Sequence, residues 1–255
     1  MMEEVEIVTV KDVSLKNPIL IEGLPGVGHV GKLVAEHMID ELDAEKIIDI
    51  YSSHFPPQVL VMEDGTVRLV QNEIYSWSSK DVDVLILVGD YQSATNVGHY
   101  LLTEKFLEIA KKYGVSRIYT LGGYGIGQLV EDQSVLGAVN NIELIDEIRS
   151  YGVEFKENEP GGGIVGVSGL LLGMAKRIGI DAICLMGLTS GYLVDPKSAQ
   201  AVLKVLSNAL DFEIDMQALA ERAKEMERIV AKIREMEAMQ MPKDMLAKED
   251  LGYIR

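Results

Sequence analysis

With 255 residues, 47% of them hydrophobic, the chain is long enough for one large core or two small ones. Forty acidic against 24 basic residues leave a formal charge of −16, which repels phosphate backbones and anionic head groups and sets nucleic acid and membranes aside as partners. No apolar run approaches the roughly 20 residues of a membrane helix, the opening MMEEVEIV lacks the basic and apolar blocks of a signal peptide, and the lone Cys184 has no disulfide partner, so a cytoplasmic protein without redox chemistry is expected.

Apolar, β-branched runs at 18–23 (PILIEG), 46–51 (KIIDIY), 83–90 (DVLILVGD), 116–123 (SRIYTLGG) and 181–188 (DAICLMGL) predict buried strands. Runs apolar on both faces suit a parallel sheet covered by helices on each side. Helical patterns fall between them at 29–41, 95–113, 140–150, 166–178 and 195–210, the last with Asp195 placed as a cap and Pro196 in the first turn. Residues 59–75 (VLVMEDGTVRLVQNEIY) alternate in two short runs around Asp64-Gly65, which predicts a hairpin with a type I′ turn and an antiparallel addition. The expected fold is a three-layer α/β domain over residues 1–212 with a mixed, mostly parallel sheet.

Composition changes after Asp211. Residues 216–240 hold no Gly, Pro or aromatic side chain, and Leu219, Met226 and Ile233 recur every seventh position with Ile229 and Met236 between them. A long amphipathic helix over 213–241 is expected, roughly 37 Å for the periodic part at about 1.5 Å per residue. Arg222 interrupts its stripe, so pairing between subunits through Leu219, Met226, Ile229, Ile233 and Met236, the preferred reading, competes with packing on its own domain. Pro242 ends the helix, and residues 242–255 are too polar and short to fold alone, which predicts a flexible tail.

The most suggestive motif is GLPGVGHVGK, between the first strand run and the first helix. Gly26-x-Gly28-x-x-Gly31 fits a dinucleotide fingerprint, with Asp49 near the spacing of a ribose-binding acid, while Gly26-x-x-x-x-Gly31-Lys32 fits a P-loop except that Leu33 stands where a hydroxyl must hold Mg²⁺. A tight strand-to-helix turn needs such glycines without any ligand, and that reading prevails. Gly122–Gly127 and Gly161–Gly166 form two more clusters at strand or helix ends, and three such loops can line one crevice. Ser168 in GVSG misses the nucleophile-elbow pattern because Leu170 replaces its second glycine. His29, His37, His54 and His99 show no metal-ligand spacing. Glu22, Asp90 and Glu131 stand near glycine loops, but among 40 acids that proximity assigns no acid–base pair. Tyr51, Phe55, Tyr75, Trp77, Tyr91 and Tyr124 supply loop-borne aromatic groups for packing or an interface. No catalytic residue, cofactor or metal is expected from these patterns.

Taken together, PILIEGLPGVGHVGKLVAEHMI, HFPPQVLVMEDGTVRLVQNEIY, DVLILVGDYQS, TLGGYGIG and GGGIVGVSGLLLGMAKRIGIDAICLMG resemble the family of the second eukaryotic proteasome assembly chaperone and its archaeal homologues. The resemblance implies a fold related to purine nucleoside phosphorylases without their catalysis, a homo-oligomer, here a tetramer by preference, and binding to the α-subunits of the proteasome core particle. It further implies that C-terminal tails dock between α-subunits through a hydrophobic residue, a tyrosine and a carboxylate. Leu251, Tyr253, Ile254 and Arg255 are the corresponding positions, with Tyr253 one place earlier than the family's penultimate tyrosine. The expected function is an ATP-independent proteasome assembly chaperone or activator. The rival readings are an enzyme acting on a nucleoside or phosphorylated metabolite in the glycine-lined crevice, and an adaptor scaffold for another protein.

Overall fold

A computed structural model of the chain describes residues 4–128, 133–156 and 163–240. In chain order it contains β1 (Val5–Thr9), β2 (Ile19–Glu22), α1 (Val30–Glu41), β3 (Glu45–Ser52), β4 (Val59–Val61), β5 (Val67–Leu69), β6 (Asn72–Ser78) and β7 (Asp83–Gly89). There follow α2 (Asn96–Tyr113), β8 (Arg117–Gly125), β9 (Val135–Val139), α3 (Ile145–Ser150), β10 (Val153–Glu154), α4 (Val167–Arg177), β11 (Asp181–Thr189), α5 (Pro196–Leu210) and α6 (Gln217–Gln240). Nine strands form one sheet in the order β1-β3-β6-β7-β2-β8-β11-β9-β10.

Each of the five apolar runs becomes a strand. Four of them, β7, β2, β8 and β11, lie side by side and parallel at the sheet centre. Their alternate residues enter two cores, which is why they carry no polar face. Leu20, Leu85, Leu87, Ile118 and Ala182 pack beneath α2 and α4, whereas Ile21, Ile86, Tyr119, Ile183 and Leu185 pack beneath α1, α3 and α5. Each fully buried Leu, Ile or Phe in these layers contributes about 1.5–3 kcal/mol relative to exposure. The mixed α/β fold is thus as expected, but its parallel part is confined to the centre and the β9–β10 edge. β1–β3, β3–β6, β6–β7 and β9–β11 are antiparallel. The fifth run, β3, pairs with β6 and not with the central strands.

Local chemistry sets the helix ends. Asp195 accepts from the Ser198 N–H at 2.9 Å with Pro196 in the first turn, as its sequence position predicts. Thr95 does the same for α2, and Gly114 ends that helix at φ 69°.

Two expectations need correcting. The hairpin of β4 and β5 is antiparallel but forms its own two-stranded sheet, so it does not extend the large one. Its turn is not type I′, which needs positive φ at both central residues. Gly65 alone takes one, at 82°, and its N–H bonds to the Met62 carbonyl, so the loop is a type I turn followed by a glycine bulge. The hairpin is pinned by Arg68, whose guanidinium donates to both carboxylate oxygens of Asp90 at 2.6 and 2.8 Å. Strands β1, β9 and β10 escaped the sequence reading because they are short edge or near-edge strands with broken apolar patterns.

Candidate functional site

The chain leaves β2 toward β3, β6 and β7 on one side of the sheet and leaves β8 toward β9 and β11 on the other. Between β2 and β8 lies a switch point of the kind at which α/β folds open a crevice beyond the strand ends. The crevice is present, with a volume of about 500 Å³, and residues from all three glycine clusters line it: Gly26, Gly122, Gly123, Gly125, Gly163 and Gly166. Leu24, Leu121, Cys184 and Met186 supply apolar wall, and Gln92, His99, Tyr124 and Ser168 supply polar groups.

Behind this surface lies a pairing invisible to local sequence. Glu22 ends β2 with no exposed surface, accepting the Leu24 N–H at 3.0 Å and the Ser168 hydroxyl, from the first turn of α4, at 2.8 Å. Burial pushes its carboxyl from the ordinary 4.5 up to about 7, although both hydrogen bonds favour the charged form. An acid ending a strand run otherwise apolar on both faces was the available signal, but its partner lies 146 residues away. Gln92 is a second missed residue. Its amide donates to the Pro25 carbonyl at 2.8 Å and accepts from the Val167 N–H at 3.1 Å, tying the first glycine loop to the start of α4. Burial holds His99 below the usual histidine range, so it is neutral at pH 7, and its Nδ1 is buried without a partner. An unmade bond of that kind costs about 1–3 kcal/mol. Cys184 lies on the crevice floor, its thiol pushed up to about 12 by burial, so it is not a nucleophile at neutral pH.

The nucleotide patterns come apart in three dimensions. Asp49 is on β3, separated from β2 by β6 and β7, and it pairs with Lys46 at 3.0 Å. Lys32 turns away to the Gly89 carbonyl at 3.1 Å and to Glu36 at 3.5 Å. Gly31 lets α1 close on β8, because a Cβ there would overlap the Leu121 carbonyl. Gly31 therefore serves helix packing, as the ligand-free reading requires.

Of the other residues singled out, Asp90 sits below its ordinary value because Arg68 and the Gln71 N–H outweigh its burial. Glu131 lies outside the described residues. Phe55 is buried, Trp77 tilts against Phe212 with ring centroids 5.9 Å apart, and Tyr91 stays exposed. The histidines are dispersed, His37 reaching the Asp215 carbonyl and His54 the Thr95 hydroxyl. No helix among the described residues is long and apolar enough to cross a membrane.

The C-terminal candidates divide. Leu219 of α6 is buried in the core shared with α5, Ala223 one turn on is also buried, Met226 is half-buried and Arg222 is exposed. The first turns of the stripe are thus occupied within the chain. The side chains of Ile229, Ile233 and Met236, and the whole of Leu251, Tyr253, Ile254 and Arg255, lie outside the described residues.

Over the full length of both chains, the sequence is 43% identical to an uncharacterized protein of Methanocaldococcus jannaschii. Its fold is similar to that of PbaB from Pyrococcus furiosus, an archaeal proteasome activator, with a TM-score of 0.87 and 42% identity over 91% of this chain and 100% of that one. PbaA of the same organism, an archaeal homolog of proteasome-assembly chaperone, is similar with a TM-score of 0.76 and 27% identity over 93% and 94% of the two chains. Residues 20–234, from the first central strand into α6, match the PAC2 family, and the chain belongs to that family.

Proposed function

We propose that this chain is a non-catalytic, ATP-independent partner of the proteasome core particle, an assembly chaperone or activator that works as a homo-oligomer and docks its C-terminal segments on the α-subunits. The observation that carries the reading is the similarity to PbaB over the whole of that protein, at an identity where folds and binding modes are commonly shared. The residues add physical support. α6 is 24 residues long, about 36 Å at 1.5 Å per residue, and Leu219 in its first turn is buried against α5. Beyond it Leu251, Tyr253, Ile254 and Arg255 place an aromatic anchor between aliphatic and basic neighbours. A single short segment of this kind binds weakly, whereas several tethered on one oligomer gain about 10²–10⁴-fold in avidity.

Deleting Tyr253–Arg255 tests the reading. Full-length protein should bind purified archaeal proteasome and change its hydrolysis of a small fluorogenic peptide, and the truncated form should lose both, since losing a hot-spot aromatic costs about 2 kcal/mol or more per tail. Equal binding by both forms would move the interface to the α/β body. Absence of binding by either would remove the proteasome as partner.

A further inference from the structure

The glycines of the first two loops differ in why they are glycine. At Gly31 and Gly123 a Cβ would strike backbone, the Leu121 and Val27 carbonyls respectively, and Gly28 holds φ 62° with Thr189 against it. Neither reason applies to Gly26 or Gly122. Gly26 is extended at φ −154°, and Gly122 lies outside the positive-φ set. A Cβ on Gly122 would meet nothing within 4 Å, and one on Gly26 nothing nearer than the Leu24 carbonyl at 4.0 Å. Both open onto the crevice. Glycine weakens a central strand, and where neither backbone conformation nor packing demands it, it marks a place where another molecule approaches the backbone closely.

The surroundings define what that molecule is. Ser168 directs its proton to Glu22 Oε2, which leaves its oxygen free to accept a bond from the crevice side. His99 Nδ1 is buried and unpartnered. Thr120, in register between Glu22 and Cys184 on neighbouring strands, has no nitrogen or oxygen partner, only the Cys184 thiol. Among the described residues no lysine or arginine lines the crevice. A phosphate or carboxylate would find no counter-charge. The volume of about 500 Å³ falls in the range of small-molecule sites.

We infer that the crevice binds a small uncharged molecule with a flat apolar body, which lies on the bare backbone of Gly122, and an amide-like head, whose N–H donates to Ser168. This site is separate from the proteasome reading and stands or falls without it. The experiment is ligand-observed fluorine NMR on the full chain with 4-fluorobenzamide, 4-fluorobenzoate and 4-fluorobenzamidine, which share one ring and differ in charge. The amide should bind saturably and at least about tenfold more tightly than either charged analogue. Gly122→Val, which places a β-favouring side chain in open space, should abolish that binding while leaving the melting temperature unchanged or higher. Ser168→Ala should weaken the amide without a comparable effect on fluorobenzene. Absence of saturable binding up to about 10 mM overturns the inference, as does undiminished binding by Gly122→Val. A preference for the anion or cation overturns the assigned ligand class. A large fall in melting temperature for Gly122→Val shows that glycine there is structural and removes the ground for the site.

Discussion

Glu22 is the residue at which the fold works against ionisation. The unfolded chain releases its proton near 4.5 and the folded chain near 7. Between those values the native state holds a proton that the unfolded state has lost, so stability falls as pH rises. The contribution is fully favourable below about pH 4.5 and fully lost above about pH 7, a difference of roughly 3 kcal/mol. Glu22→Gln keeps the shape without the charge: its amide oxygen can still accept the Leu24 N–H, while its amide N–H donates to the Ser168 oxygen and so reverses that bond. Denaturant titrations should show it about 1–3 kcal/mol more stable than wild type at pH 8, with a flatter profile between pH 5 and 7. Identical profiles for the two proteins would place the carboxylate in a more polar setting than burial indicates. PILIEG shows only an acid at the end of an apolar run, which reads as the polar end of a strand. Its burial depends on α4, which arrives 146 residues later.

Among the elements, α6 joins two kinds of packing. Leu219 is buried against α5 within the chain, while the later stripe positions are proposed to meet a second subunit. The two ends should therefore respond differently. Leu219→Ala should lower stability by about 2–4 kcal/mol with the oligomer mass unchanged. Met226→Asp combined with Ile233→Asp should reduce the mass seen by light scattering, since a charge in an apolar seam opposes association. A double variant of unchanged mass and stability would show the outer helix to be solvated. The helix was plain in the sequence, since 25 residues without Gly or Pro and with a repeating apolar stripe have few alternatives. Which partner covers each turn was not, because a short Met-rich stripe fits either surface.

At the scale of the whole molecule, the strand order separates the parts of every nucleotide pattern. Asp49 has two strands, β6 and β7, between it and β2, and Lys32 is held by Gly89 and Glu36. With a net charge of −16 added, calorimetry with ATP or NAD should give no saturable site. A Kd below about 10 μM, some −7 kcal/mol, would restore the enzyme reading. The same topology makes the crevice, since β2, β8 and β11 run parallel and deliver their C-terminal ends side by side.

By itself the sequence determined what depends on near neighbours. The five apolar runs, the Asp195-Pro196 start of α5 and the uninterrupted pattern of α6 are set by side-chain periodicity and by hydrogen bonds within a few residues. Tertiary structure decided what depends on distance along the chain. It brought three glycine clusters to one crevice, gave Glu22 its serine and assigned Leu219 to α5. It also sorted one glycine from another. Gly31 and Gly122 read alike in sequence, but Gly31 has a carbonyl in the place of its missing Cβ and Gly122 has open space, and only strand order and helix packing set that difference.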